Sequence, residues 1–262
     1  MHEILVSLAP GARVLDLGAR SGSFDPALYP GTQVVRLDLD RPSSTGGVPT
    51  IQADASALPF GDGAFDVVIA NHSLEHMTQL GSVLDEIGRV VRRSGSLYVA
   101  VPDSSTLSDK LYRWVYHGGG HVNPFESAAE LDLEVTRRVG LAPAGHRLLH
   151  TSFGFLERSH FHPRPPRRML IFLNGHYTAI VVLSYVARLL DRVFGTRFSV
   201  YGWALYYGRV DGGVDTDAWT NVCVRCGSAQ PVENLQPQTA IGPVRTYRCA
   251  ACRSWNLFTR DE

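Results

Sequence analysis

The chain has 262 residues with 25 basic against 25 acidic side chains, no net charge, and 44% apolar residues. That length suits one α/β domain with a small appendage, and its core needs no covalent staples. Balanced charge and a pI near 7.2 exclude broad electrostatic coating of nucleic acid or of an anionic membrane, leaving only local basic patches for such contacts.

The start, MHEILVSLAPGARVLDLG, lacks the charged n-region and unbroken apolar stretch of a secretory leader, which predicts a cytoplasmic location. Lys110 is the only lysine among the 25 basic residues, as in GC-rich bacterial coding sequences. Val14 to Leu17 is a short apolar run entering Gly18-Ala19-Arg20-Ser21-Gly22, and it reads as strand, tight loop, then helix. Gln33 to Leu39 predicts a second strand ending in acids at Asp38 and Asp40, closed by a loop at Pro42 and Gly46-Gly47. Pro49 to Gln52 predicts a third, and Phe65 to Ala70 a fully buried strand of the parallel kind. Gly81 to Arg93 has helical spacing, with Val83, Leu84, Ile87, Val90 and Val91 on one face; Ser94-Gly95 ends it before a strand over Ser96 to Val101. Such alternation predicts a doubly wound, mostly parallel α/β sheet.

Pro124 to Gly140 reads as another amphipathic helix, His146 to Phe153 as a strand, and Phe198 to Val210 as an aromatic strand returning to the sheet. A basic, proline-rich connector, 158–168, leads into the apolar Met169 to Phe194, helical in two pieces broken near Asn174-Gly175. A polar linker, 211–217, marks a domain boundary, and no internal repeat spans the chain.

In an open parallel sheet, ligands sit beyond the carboxyl ends of the strands, where backbone amides meet polar groups. Gly18 and Gly22 permit close backbone approach there, and Asp16 brings a carboxylate. Asp38 ends the second strand at a distance suited to a ribose diol, and Asp54-Ala55 follows the third. The stretches VLDLGARSGSF, VVRLDLD, IQADASALPFGDGAFDVVIANHSLEHM and RVVRRSGSLYVAVPD together resemble class I S-adenosylmethionine-dependent methyltransferases of the small-molecule type. The resemblance implies a seven-stranded Rossmann-like sheet over 1–212, with a helical insertion at about 158–194. It implies that Asp16, Gly18 and Gly22 surround the methionine part of the cofactor, that Asp38 with Leu39 meets its ribose, that Asp54 with Ala55 meets its adenine, and that Asn71 lines the pocket. Where the family usually has a third glycine this chain has Arg20, whose side chain either points to solvent or crowds the methionine end.

Methyl transfer from a sulfonium needs the acceptor placed in line, and a general base helps when the acceptor is a hydroxyl. His72, His76 and His121 are the candidate catalytic residues, with Glu75 between the first two and a glycine run, Gly118 to Gly120, before the third. His72 and His76, four apart, also have the spacing of metal ligands on a helix face, but no third ligand stands at a clear spacing. Asp103, ending the fifth strand, reads as a solvated loop acid.

The stretch MLIFLNGHYTAIVVLSYVARLL is too interrupted to span a bilayer. Buried helices on the sheet are the expected reading; a lid over the substrate pocket, or peripheral contact with a membrane bearing a lipid-linked substrate, are the alternatives.

All four cysteines fall in two pairs, Cys223-x-x-Cys226 and Cys249-x-x-Cys252, separated by 22 residues. Two such turns present four thiolates to a tetrahedral ion, which predicts a structural zinc site; two disulfides would need an oxidising compartment. The tail, 218–262, resembles a zinc ribbon.

The combined expectation is a methyltransferase using S-adenosylmethionine on a small-molecule or glycan- or lipid-linked acceptor, at oxygen, with structural zinc and a protein partner conceivable at the ribbon. A non-catalytic scaffold docking partners through the ribbon is the first alternative. An RNA methyltransferase is the second, supported only by Arg225, Arg245, Arg248 and Arg253, and nucleic acid is not the expected partner.

Overall fold

The computed structural model describes residues 1–20, 22–40, 47–117, 119–150, 153–160, 167–216, 220–231, 235, 239–241 and 244–258. Ser21, the loop over 41–46, Gly118, the expected strand residues 151–152, the connector residues 161–166 and the linker end at 217 lie outside them. The chain forms two compact units. The first comprises Met1–Pro102, His121–His146 and Trp203–Thr216; the second comprises Asp103–Gly120, Arg147–Gly202 and Asp217–Glu262.

The first unit opens with α1 (His2–Leu5), then β1 (Arg13–Leu17), β2 (Gln33–Asp38), β3 (Thr50–Gln52), β4 (Phe65–Asn71), α2 (Leu80–Val90) and β5 (Val91–Pro102). After α3 (Leu107–Val115) of the second unit come α4 (Ala128–Val139), β6 (Pro143–His150) and, after a helical segment, β7 (Val200–Gly208). Among the described residues the sheet has nine strands where seven are expected: the order β3-β2-β1-β4-β5-β7-β6 is continued by the short β8 (Thr220–Val222) and β9 (Ala229–Pro231), and the pairs β2·β3, β1·β2, β1·β4 and β4·β5 are parallel. Their carboxyl ends therefore share one rim. Strand β4 is buried on both faces, with Val67, Val68, Ile69 and Ala70 fully inside, as its unbroken apolar run requires.

Helix α2 buries Val83, Leu84, Ile87 and Val90 at helical spacing. It lies so close to α4 that a Cβ on Gly88 would come within 2.9 Å of Arg138 O and Val139 Cα. Helix α4 starts on Ser127, whose Oγ accepts from the Glu130 N–H at 3.3 Å, and stops on Gly140 in the left-handed region. The Tyr207 hydroxyl of β7 donates to Asp132 Oδ1 of α4 at 2.6 Å.

Two expectations need correction. The helix predicted after the glycine loop is a single 3-10 turn, Pro26–Leu28, capped by Asp25 Oδ1 accepting from the Ala27 N–H at 3.0 Å. Pro30 and Gly31 follow at once, so no i to i−4 ladder can extend it. Helix α2 ends at Val90 and not at Arg93, because Val91 already pairs with Phe65; Ser96 then pairs with Val67, and 92–95 bulge between.

In the second unit, α3 is capped by Thr106, whose Oγ1 accepts from the Asp109 N–H at 3.3 Å. The apolar segment is helical in two pieces: a 3-10 stretch, Arg167–Gly175, and α5 (Tyr177–Phe194). The break falls where Leu173 (φ 51°), Asn174 (φ 52°) and Gly175 (φ 67°) turn left-handed. Ile180, Val181 and Ala187 of α5 pack with Val115, Phe153, Leu156 and Val224. Leu170, Ile171, Leu173 and Phe194 stay exposed, and no helix among the described residues is long and apolar enough to cross a membrane. The end of β6 belongs to this unit, where Leu149 and His150 pair in parallel with Thr220 and Asn221 of β8 (Thr220–Val222). An antiparallel β9 (Ala229–Pro231) follows. Three further strands, β10 (Thr239–Ile241), β11 (Val244–Arg248) and β12 (Trp255–Phe258), make a separate antiparallel sheet.

Candidate active site and metal centre

The ends of β1, β2, β3 and β4 are tied to one another by backbone. The Gly18 N–H donates to Leu37 O at 2.8 Å, and the Ala53 N–H to Asp38 O at 3.1 Å. The Arg20 N–H donates to Asp38 Oδ2 at 2.8 Å. Gly18 (φ 68°) presses on the loop after β4, since a Cβ there would lie 2.5 Å from Ser73 Cβ, a separation real side chains never show. Only glycine fits.

Asp16 is fully buried at the end of β1. Its Oδ2 accepts from the Ser23 N–H at 2.9 Å and lies 3.7 Å from Arg36 Nε; its Oδ1 has no hydrogen-bond partner among the described residues. Burial pushes this carboxyl up, against the pull of Ser23 and Arg36. Asp38 is half-buried with Leu39 exposed beside it. Asp54 is exposed and accepts from both the N–H and the hydroxyl of Ser56 at 2.8 Å, bonds that hold its carboxyl below the usual range. Ala55 is buried, and Asn71 closes β4 half-buried.

Arg20 is exposed, its backbone left-handed at φ 43°. The guanidinium that occupies the loop is that of Arg36, a residue the sequence reading did not single out. It is 6% exposed, donates to Phe24 O at 3.2 Å, and would overlap any Cβ on Gly22 (φ 115°). Gly22 thus makes room for a protein side chain as well as for backbone approach. The available signal was one arginine interrupting the apolar strand VVRLD.

The three candidate histidines converge. His72 (φ 52°) follows β4, with Nδ1 3.8 Å from Glu75 Oε1. Its imidazole is pushed down to about 4 by burial and by the neighbouring His121 and His76, so it is a weak base at neutral pH. His76 ends a 3-10 turn, Leu74–His76, and its ring meets His121 edge-on with centroids 5.0 Å apart. Asp103 departs from its reading as a solvated loop acid: it is fully buried in the second unit, accepting from Ser105 N–H and Oγ at 2.9 and 2.6 Å and from Arg197 at 3.0 Å.

The four cysteines of the tail come together as two matching knuckles. In one, the Gly227 N–H donates to Cys223 O at 3.0 Å and the Cys223 N–H to Ser228 O at 3.0 Å. In the other, the Arg253 N–H donates to Cys249 O and the Cys249 N–H to Ser254 O, both at 2.9 Å. All four Sγ atoms lie within 4.8 Å of one another, with Cys223–Cys252 at 3.7 Å and Cys226–Cys249 at 3.6 Å. A tetrahedral zinc with Zn–S of about 2.3 Å has S–S edges of about 3.8 Å, so the donor set fits that ion. Asn256 Nδ2 donates to Cys223 Sγ at 3.3 Å and Gln230 Nε2 to Cys249 Sγ at 3.1 Å, the outer contacts that orient thiolates. Hydrogen bonding from Cys226, then from Ser254 and Asn256, lowers the Cys223 thiol.

Residues 15–99 match the family described as "Methyltransferase domain". The malonyl-[acyl-carrier protein] O-methyltransferase of Legionella pneumophila is 32% identical over 133 residues, 46% of this chain and 46% of that protein. The demethylmenaquinone methyltransferase of Corynebacterium urealyticum is 36% identical over 100 residues, 36% of this chain and 44% of that protein. The chain thus spans about half the length of the curated relatives it matches. Among solved structures, a SAM-dependent methyltransferase from Archaeoglobus fulgidus aligns with a TM-score of 0.51 at 17% identity, over 76% of this chain and 86% of that one, a likeness of fold. Strand order and glycine loop agree with that match: residues 15–99 are similar to a methyltransferase domain, and the sheet around them has the fold of the solved methyltransferase.

Proposed function

We propose that the first unit binds S-adenosylmethionine and transfers its methyl group to an oxygen of a small-molecule acceptor, and that the four cysteines hold a structural zinc ion. The observation that carries the first part is the single rim where Asp16, Asp38 and Asp54 end neighbouring parallel strands around a glycine turn. When bound, the cofactor supplies an electrophilic methyl on a sulfonium. Asp16 Oδ1, buried and free to accept, suits the amino end of its methionine. Asp38 suits the ribose hydroxyls and Asp54-Ala55 the adenine edge. Arg20 is exposed, so the guanidinium beside the methionine end is that of Arg36.

The acceptor hydroxyl must lose its proton as the C–O bond forms, and His72 and His76 in the segment after β4, with His121 beside them, are the groups placed to assist. Relatives named for malonyl-carrier protein and demethylmenaquinone support a small, carrier- or lipid-linked acceptor. The zinc rests on four thiolates closed around one point, which leaves no position for substrate.

Calorimetry with S-adenosylmethionine and S-adenosylhomocysteine tests the first part. Wild type should bind both, and Asp38→Ala should weaken both by about 10- to 100-fold, the worth of hydrogen bonds to a charged group. No binding by folded, zinc-loaded protein overturns the proposal and leaves a scaffold with this fold.

A further inference from the structure

Glu75, His76 and His121 are one carboxylate and two imidazoles whose donor atoms all lie within 4.8 Å of one another, in the first unit and apart from the cysteines. The geometry points to a second metal site there, for a divalent transition ion of the zinc, cobalt or iron class. Sequence spacing hid it, because the third ligand arrives from the segment before α4. That arrival is built in. The Val122 and Asn123 N–H groups donate to Glu75 O at 2.8 and 3.1 Å, and Asn123 Nδ2 donates to Leu74 O and Met77 O, both at 2.7 Å. These bonds hold the segment before α4 against the turn that carries Glu75 and His76.

A first-row ion with ligand bonds of about 2.0 to 2.2 Å has donor edges of about 3.4 Å, inside the 4.8 Å that bounds the observed cluster. Glu75 is buried, 1% exposed, so its carboxyl oxygens are shielded from water on the inner side of the cluster. His76 is exposed and His121 half-buried, so the outer side of the site opens to solvent. Three protein ligands with an open side is the arrangement of metals that act on substrate, unlike the closed thiolate set of the tail.

The site follows β4, whose loop touches Gly18 of the cofactor turn. Its role rests on the methyl-transfer reading. An acceptor hydroxyl bound at the open position loses its proton near neutrality, the proton going to solvent. The oxygen then forms its bond to the methyl carbon as the carbon–sulfur bond breaks, and the sulfonium leaves as a neutral thioether. His76 and His121 in this role act through the ion and do not themselves take the proton.

Equilibrium dialysis of the full, zinc-loaded chain against Co2+, with metals counted by mass spectrometry, tests the site without any turnover. Wild type should hold one cobalt per chain with its zinc retained. His76→Ala and His121→Ala should each weaken cobalt binding by more than about tenfold. His146→Ala, an exposed histidine elsewhere, should leave it unchanged. Should His121→Ala fail to fold, His76→Ala on the exposed side decides alone. No cobalt on wild type, or cobalt undiminished by the His76 substitution, overturns the inference. Calorimetry with S-adenosylmethionine on the same samples separates the two claims: cobalt bound without the cofactor sinks the methyl-transfer reading and spares the site, and the reverse sinks only the site.

Discussion

The glycine turn of the first unit and the cysteine knuckles of the second both bend backbone toward a ligand, yet they are held in opposite ways. Each knuckle is closed by its own residues, with bonds from Gly227 and Arg253 back to Cys223 and Cys249. The glycine turn is shaped by distant parts of the chain: Leu37 and Asp38 accept its amides, Arg36 sits within it, and Ser73 bounds Gly18. A locally closed ligand set can be read from spacing. A turn that borrows its shape cannot, and it takes the strand-end acids Asp16, Asp38 and Asp54 around the glycines to make the pattern specific.

The largest expected effect comes from breaking the local device. Cys249→Ser removes one of four ligands, and structural zinc sites carry apparent binding energies of about 10 to 16 kcal/mol at neutral pH. The variant should retain little zinc by mass spectrometry, and the β10–β12 sheet should lose amide protection in hydrogen exchange. Full zinc content in this variant would show that the thiolates are not the ligands.

Next is the borrowed device. Arg36→Ala strips the cation from a buried acid, and removing one partner of such a pair destabilises by about 3 to 5 kcal/mol. At 3.7 Å the pair is a loose one, so the lower figure is expected in urea unfolding of the first unit. Affinity for S-adenosylhomocysteine should fall with it, because Phe24 O and Asp16 Oδ2 lose their organiser. An unfolding midpoint equal to that of wild type would show that the turn holds its own shape.

The same contrast explains what the sequence could tell. Strands β1, β2, β4 and β7 were legible within a residue or two, because a short, mostly apolar run bounded by turn residues has few other solutions in a sheet covered on both faces. The cysteine cluster was legible because its two pairs carry their turns with them. Helix α3 went unread: its buried residues include Ser108 and Asp109, polar side chains that hide the apolar period. The helix expected after the glycine loop was read from the strand and tight loop before it, against Pro26, Pro30 and Gly31. Arg36 and Asn123 were missed, and Glu75 was noted only as lying between two histidines, because their roles depend on segments far away in sequence, on which local periodicity is silent.

The smallest effect compares two arginines standing where glycine is the easier residue. Arg253 closes its knuckle at φ 61°, and the equivalent position in the other knuckle is Gly227 at φ 70°. Arg20 stands at φ 43° in the cofactor turn. A left-handed conformation costs a non-glycine residue about 1 to 2 kcal/mol, while glycine loses about 0.5 to 1 kcal/mol of chain entropy on folding. Arg253→Gly should therefore stabilise the second unit by up to about 1 kcal/mol, and Gly227→Ala should destabilise it by a similar amount. Arg20→Gly has the same backbone gain, and because its side chain is exposed it should change cofactor affinity by less than about threefold. A gain in cofactor affinity beyond tenfold would mean that the guanidinium swings into the crevice in solution, and that the borrowed turn is obstructed by its own departure from the family pattern.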